Sequence, residues 1–469
     1  MNYFYRVIAA LIGFFLNVLI IVPGASAQEN DLVIEVVAEP FRPNILVLKT
    51  GAPQPFSDQD KILKEINDLF IFDLTFSDAF NVYPETPQAA YINRKDLESG
   101  SVSYDDWRRF RIEDKMIDYV LKTVLVARGE GLFELDVLVY DIVNGNRAIG
   151  RAYGGAPHPP FSYKNMRLAG HKASAEIIRT LTDGKIEPIT ETRFAFVNYN
   201  TTKQTREIYL IDYDGWKDSL RQVTSFNSIT QFPDWSPDGN ELAYVSYKNN
   251  WPDCFIQNLP KGTVQTLAQF KGANNTPRWC PDGQNLIISL SALGNPELYL
   301  IPRSGKNPKR LTKNTWKDLS ADVSPDGRQI AYVADRIGSP QIYVMNIDGA
   351  DIRRISYINR KCESPFWSPI PIAGDYRIAF SGYFDSQQSD IYTIRADGAE
   401  LKMLTDDNFE NLNPTWSPNG RYIAFSSNRA GKHEIYIASS DGGILPSGEQ
   451  FHRVTYLNGE ILNPAWSPK

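Results

Sequence analysis

Cysteine and histidine are scarce in this chain, and concentrated runs of basic residues are missing. Only Cys254, Cys280 and Cys362 occur among 469 residues, with no C-x-x-C or other metal-type spacing. That excludes a disulfide framework and a thiolate metal centre as the basis of the fold. The odd number leaves at least one thiol free or paired outside the chain. The four histidines, His158, His171, His433 and His452, are scattered, and there is no G-x-S-x-G elbow. A Ser-His-acid machine therefore has little to be built from. Lys and Arg are dispersed and the formal charge is −6. That argues against nucleic acid, whose phosphates require clustered cations. Beyond Val22 no apolar run is long enough to cross a bilayer.

What the chain has is a repeat. Its copies are Pro233-Asp-Trp-Ser-Pro-Asp-Gly239, Pro277-Arg-Trp-Cys-Pro-Asp-Gly283, Ala321-Asp-Val-Ser-Pro-Asp-Gly327, Pro365-Phe-Trp-Ser-Pro369, Pro414-Thr-Trp-Ser-Pro-Asn-Gly420 and Pro464-Ala-Trp-Ser-Pro468. Pro237, Pro281, Pro325, Pro369, Pro418 and Pro468 are 44, 44, 44, 49 and 50 residues apart. Each unit carries four short strand signals. For one copy these are Ala321–Ser324, Ile330–Val333, Gln341–Val344 and Arg354–Ser356. A period of about 40–50 residues with four strands per unit predicts propeller blades. Pro sets φ in the Ser-Pro-Asp-Gly turn and Gly supplies the exit. The repeat tryptophans read as packing between neighbouring blades. The unit holding Cys254 is the most degraded copy, and Ile370–Asp375 is an insertion in a first turn. The sixth copy ends the chain without its other three strands. Strand signals upstream, Phe194–Val197, Glu207–Asp212 and Arg221–Thr224, supply them. The last blade is thus expected to join both ends of the array, which leaves no sheet edge open.

The region before the repeats has a different pattern. Residues 1–27 read as a cleaved secretion signal, with Arg6, an apolar run from Val7 to Val22 and Ala25-Ser26-Ala27 as the cleavage site. An uncleaved anchor is the competing reading. Residues 28–184 read as a separate α/β (α+β) domain. It has strand signals at Ile34–Val37 and Asn44–Leu48, and a helix opened by a Ser57-x-x-Asp60 capping box. A meander over residues 119–153 and a helix from Tyr163 to Thr182 follow. His171 shares a face with Leu168, Ala175 and Ile178 and reads as a hydrogen-bonded structural residue. Residues 185–192 form a linker and residues 193–469 the propeller. The expected fold is two-domain, an N-terminal α/β (α+β) domain followed by an all-β six-bladed propeller closed by pairing its first and last strands.

The loops joining each blade to the next are the candidate site. They are rich in Asn, Asp, Glu and Thr, with Phe232, Trp316, Tyr357 and Phe409 interspersed. Polar groups around a few aromatic anchors suit protein recognition. The candidate contact residues are Thr230, Gln231, Asn274, Asn275, Asp318, Glu363, Asn411, Asn413 and Asn463. Asp318 and Glu363 stand just before first strands. They read either as Ca²⁺ ligands at the channel or as solvated loop carboxylates.

Several features go beyond the repeat: signal, small α/β domain, then six blades. Ala169-Gly170-His171-Lys172-x-Ser174 leads to Thr192-Arg193-Phe194-Ala195-Phe196-Val197, and the end is Pro464-Ala465-Trp466-Ser467-Pro468. In this the chain resembles, over nearly its whole length, the TolB family, periplasmic components of the Tol-Pal system of Gram-negative bacteria. The resemblance implies a monomeric, non-enzymatic protein without an obligatory cofactor, a Ca²⁺ ion in the channel being permitted but not required. It implies that the nine loop residues receive Pal, a peptidoglycan-associated outer-membrane lipoprotein, other outer-membrane lipoproteins being further candidates. It implies that the segment after the signal, with Gln28, Glu29, Asp31, Val33, Ile34, Glu35 and Val36, recognises the inner-membrane-anchored TolA. Association with the envelope would then be peripheral, through partners, in support of envelope integrity and cell division. A periplasmic propeller binding a peptide or glycan, without a trans-envelope role, is the alternative, and a propeller-type serine peptidase comes third.

Overall fold

The computed structural model describes residues 20–22, 33–35, 42–129, 131–154, 161–358, 360–384 and 388–468. It divides into residues 1–43 and residues 44–469. In the first unit, Ile20–Val22 pairs antiparallel with Val33–Glu35. Gln28, Glu29, Asp31, Val36 and most of the predicted signal lie outside the described residues, as does His158.

In the second unit the front domain is built on one mixed sheet. Its strands run in the order Asn81–Pro84, Asn44–Val47, Tyr119–Ala127, Leu132–Asp141, Phe161–Ser162, and Asn146–Tyr153 also pairs with Leu132–Asp141. Asn44–Val47 is parallel to both neighbours. Its side chains alternate between two cores. Ile45 and Val47 face helices α1 (Gln59–Phe76) and α4 (Tyr163–Leu181), whereas Leu46 and Leu48 face α2 (Pro87–Ser99) and α3 (Tyr104–Arg109). Helix α1 does not open with the expected capping box. Its N-cap is Asp58, in the left-handed region, and no side chain caps it. Of the apolar face the sequence predicts for it, Ile62, Leu63, Ile66, Leu69 and Phe70, all but the partly buried Leu63 are buried.

Six four-stranded sheets follow. Blades I to V span residues 230–268, 274–310, 318–354, 361–403 and 411–453. Blade VI joins Glu460–Trp466 to Arg193–Asn200, Thr205–Asp212 and Arg221–Gln222. Within each blade the strands are A to D from the channel outwards. The closure is antiparallel, with Phe194 opposite Trp466 and Ala195 opposite Ala465. Trp466 is buried, its ring 4.5 Å from Phe194, and its indole N–H donates to Thr192 Oγ1 at 2.8 Å. Trp235, Trp367 and Trp416 donate in the same way to carbonyls of the preceding blade, at Ala465, Asp322 and Phe366. These rings stitch neighbouring blades together.

The C–D turn glycines do so from the backbone side. A Cβ on Gly349 would stand 2.6 Å from the carbonyl oxygen of Leu311 in the blade before, and Gly215 and Gly305 repeat the approach. All three have φ between 73° and 94°, a region that side chains resist. Gly349→Ala is therefore expected to lower stability by roughly 1–3 kcal/mol. Urea unfolding measures it, and an unchanged midpoint would refute the close-approach argument. Cys254, Cys280 and Cys362 are all free and buried in this packing. Burial pushes each thiol up, that of Cys362 to about 11, so none is primed as a nucleophile.

Candidate functional site

Antiparallel strands put the D–A and B–C loops at one end of every blade and the A–B and C–D turns at the other. The front domain occupies the turn end of blades V and VI. Tyr422 donates to the carbonyl of Phe76 at 2.7 Å, Arg421 pairs with Asp78 at 2.9 Å, and Asn419 donates to the carbonyl of Glu187. Between the domains lies a buried polar knot. Asp73 of α1 accepts from Tyr213 Oη at 2.5 Å and stands 2.9 Å from Nδ1 of His171. Asp214 in the C–D turn of blade VI pairs with Arg167. His171 is thus a buried, hydrogen-bonded residue, although Leu168, assigned to its face, is exposed. Among the described residues, the loop end of the ring carries none of these contacts.

At that end the channel narrows through six equivalent residues. Phe232, Thr276, Ser320, Ser364, Asn413 and Asn463 all have positive φ, from 46° to 56°. Each coincides with a break in the A–B ladder. Five of the six precede a proline, which cannot donate to the ladder and is tolerated at such a bulge. The bulge turns each of these residues toward the axis, where they line a constriction of about 30 Å³. That volume holds one or two waters. It does not hold a metabolite, so the surface around the mouth is what can take a macromolecule.

The nine predicted contact residues divide by their position on the A strand. Thr230, Asn274, Asp318 and Asn411 are its first residues and are buried, which removes them from direct contact with a partner. They fasten the loops instead. Asn274 donates to the carbonyls of Pro252, Phe270 and Gly272, and Asn411 donates to Asp407 and accepts from Arg429. Gln231, Asn275 and Glu363 follow in sequence and are half-exposed, and Asn413 and Asn463 are bulge residues lining the mouth. Asn413 donates to Ser364 Oγ at 3.0 Å, which ties two blades across the rim. Asp318 accepts from Asn314 and lies 3.7 Å from Arg336, and Glu363 pairs with Lys361 at 2.9 Å. Cations and amides thus engage both carboxylates proposed for Ca²⁺. Among the described residues no group of three or more His, Cys, Asp or Glu side chains stands in metal-binding geometry.

Sequence reasoning missed two features. The first is a ring of exposed apolar side chains on this face, in which Trp251, Leu293, Phe384 and Tyr456 join the expected Trp316, Tyr357 and Phe409. The second is a charged cluster further down the channel, at the variable second position of the repeat, before Trp235, Trp279 and Val323. Asp234 and Asp322 are buried, and each accepts the backbone N–H of the tryptophan in the next blade, Trp279 and Trp367, at 2.7 Å. Arg278 pairs with Asp234 at 2.8 Å, its guanidinium 4.9 Å from the centre of the Phe366 ring. Burial raises the carboxyl of Asp322 to about 7, against the pull of Arg278 and the Trp367 N–H and with a push from Asp234. A carboxyl raised on folding favours the folded state most at low pH, and its contribution is lost as pH rises. Here the loss runs from about pH 4 to pH 7. Asp322→Asn keeps the acceptor and is expected to remove that slope, making the variant more stable than the parent by roughly 1–3 kcal/mol at pH 8. Parallel urea titrations at pH 5 and pH 8 check this, and an equal difference at both pH values would contradict it.

The model of the TolB beta propeller domain matches residues 180–469. This chain belongs to the TolB family. It is 30% identical over 370 residues to the Tol-Pal system protein TolB of Bordetella avium, covering 78% of this chain and 77% of that one. The Tol-Pal system protein TolB of Desulfosudis oleivorans is 31% identical over 247 residues, 53% of this chain and 52% of the relative. This chain thus spans about half the length of that relative, and less than half of the TolB homologues of Chlorobium chlorochromatii and Chlorobaculum tepidum. TolB from Acinetobacter baumannii superposes with a TM-score of 0.69 at 23% identity, over 92% of this chain and 98% of that one. The two share the fold.

Proposed function

We propose that this TolB-family protein is a non-enzymatic docking component of a Tol-Pal system, working in the periplasm after export. Its free loop face receives a Pal-type, peptidoglycan-associated lipoprotein, and the segment 28–37 meets a TolA-type partner anchored in the inner membrane. Such a link between membranes would support envelope integrity and division. The observation that carries the reading is the division of the ring. One end is engaged by the front domain, and the other presents a polar mouth rimmed by exposed aromatics over a constriction of about 30 Å³. Aromatic anchors among polar groups are the usual make-up of a protein-recognition surface.

The test is binding of purified Pal-type lipoprotein to alanine variants of the rim. Truncation of Asn413, Asn463 or Tyr357 is expected to weaken binding by more than fivefold at one position or more. Thr230→Ala is expected to act through stability alone. Binding that none of the rim variants disturbs would sink the docking reading. Specific capture of a soluble oligosaccharide or peptide in its place would favour the alternative without a trans-envelope role.

A further inference from the structure

Three of the six blades share one arrangement on the flank of the loop face; blades II and IV have Ala292 and Phe384 at the position of its cation, and blade VI keeps the rings of the arrangement without the cation. In blades I, III and V the residue four places after the central B-strand aromatic is basic: Lys248, Arg336 and Arg429. Each lays its charge on the C-strand ring of its own blade. Lys248 Nζ is 3.8 Å from the centre of Phe255, and the guanidinium carbons of Arg336 and Arg429 are 5.2 Å and 4.8 Å from Tyr343 and Tyr436. Blade VI has the corresponding rings, Phe196 and Tyr209, with centroids 6.1 Å apart. At the position of the cation it has Asn200.

A second cation is also missing there. The C strands of blades II, V and VI carry a buried glutamate two places before their tyrosine, Glu297, Glu434 and Glu207. Arg310 and Arg453, on the D strands, pair with the first two at 3.0 Å and 3.2 Å. The residue in that register opposite Tyr209 is Gln222. Glu207 accepts hydrogen bonds from Thr224 Oγ1 at 2.6 Å and the N–H of Asn227 at 2.7 Å. No cation pairs with it among the described residues. Where Tyr357 and Tyr456 cover the adjoining arginines of blades III and V, blade VI has Ser225. The outcome is an open depression of about 470 Å³ lined by Glu207, Tyr209, Gln222 and Ser225. Arg206 is engaged elsewhere, by Tyr199 and Gln231. Lys203, on the exposed hairpin tip, lines the rim.

We infer that this blade VI depression is a receptor for a guanidinium or alkylammonium group supplied by another molecule. The incoming cation takes the place that Lys248, Arg336 and Arg429 fill in their own blades, over the Tyr209 ring and toward the carboxylate of Glu207. A buried carboxylate beside an open aromatic face favours such a group twice, by charge and by the ring quadrupole. The source that suits the free face is a basic side chain of a docked protein. Only this choice of source rests on the docking function proposed above.

The test uses the full chain titrated with N-acetyl-arginine methylamide, followed by calorimetry and by backbone amide shifts. Saturable binding is expected, with shifts centred on residues 198–227. Asn200→Arg supplies the cation in cis and is expected to weaken the probe at least tenfold while leaving the fold intact, and Glu207→Gln is expected to weaken it similarly. Lys203→Ala is expected to retain or tighten binding, and the uncharged citrulline analogue is expected not to bind. Equal binding by Asn200→Arg, equal binding of the citrulline analogue, or no saturable binding of the probe would each overturn the inference. The same Asn200→Arg variant identifies the source. A tenfold loss of lipoprotein binding assigns the slot to a protein side chain. Unchanged lipoprotein binding with the probe lost assigns it to a free small cation. If the lipoprotein does not bind the parent chain at all while the probe does, the slot stands and the docking function falls. If the lipoprotein binds and the probe does not, the reverse holds.

Discussion

Removal of residues 460–469 is expected to abolish cooperative folding of the propeller. Glu460–Trp466 forms the innermost strand of blade VI, and its partner, Arg193–Asn200, lies at the other end of the repeat array. Without it that partner presents an unpaired edge, the feature that templates aggregation in sheets. The core containing Phe194, Phe196, Tyr422, Ile437 and Trp466 is also opened. A graded form of the test is Trp466→Ala. It removes a buried ring packed on Phe194 and the indole donor to Thr192, and is expected to lower stability by about 3–5 kcal/mol. Urea unfolding followed by tryptophan fluorescence, with size-exclusion chromatography of the truncated chain, reads both. A truncated chain that stays monomeric and unfolds at the parent midpoint would show that the ring does not depend on its closure.

The second large effect concerns the knot between front domain and propeller. Asp73→Ala is expected to lower stability by about 3–5 kcal/mol, since it strands Tyr213 and His171 in a buried site. It is also expected to split one unfolding transition into two, because Asp73 is on α1 and Tyr213 directly follows the C strand of blade VI, Thr205–Asp212. A single transition at the parent midpoint would contradict both expectations. The same knot gives a pH dependence. Burial alone would push the imidazole of His171 down. The charge and hydrogen bond of Asp73, with Asp214 behind them, outweigh burial and the opposing Arg167, and the group lies above its ordinary 6.5. A histidine raised on folding contributes stability that is complete below its unfolded pKa and is lost as pH rises through the folded one. Parent stability should therefore fall from about pH 6 upwards. His171→Gln should be less stable at pH 5.5 and lack that slope.

Much of the architecture was legible because the repeat imposes a period. The spacing of Pro237 to Pro468, the strand content of each unit and the missing strands after Trp466 were enough to place the closure in blade VI. Helices α2 and α3 left a weaker trace. Only Ala89, Ile92 and Asp96 are buried in α2, too few to mark an apolar stripe, although Thr86 before Pro87 does cap it through the N–H of Ala89. The mouth was legible at the level of its loops and not at single residues. An asparagine buried under a loop and one that lines the mouth have the same chemistry. Asn411 and Asn413 differ in role because one enters the strand before the bulge and the other is the bulge. The cluster of Asp234, Arg278 and Asp322 was invisible for the opposite reason. It occupies the position of the motif that varies most from blade to blade, and pairs residues about 44 apart in sequence.

The most direct measurement for the whole account is a hydrogen-exchange footprint of the full chain with and without purified Pal-type lipoprotein. Protection is expected in the loops that end at Phe232, Thr276, Ser320, Ser364, Asn413 and Asn463, and in the neighbouring B–C loops that carry Trp251 and Leu293. The turns at Gly239, Gly283 and Gly327, on the opposite end of the ring, should exchange at unchanged rates. Protection confined to those turns or to the front domain, with the mouth unaffected at saturating lipoprotein, would contradict the account.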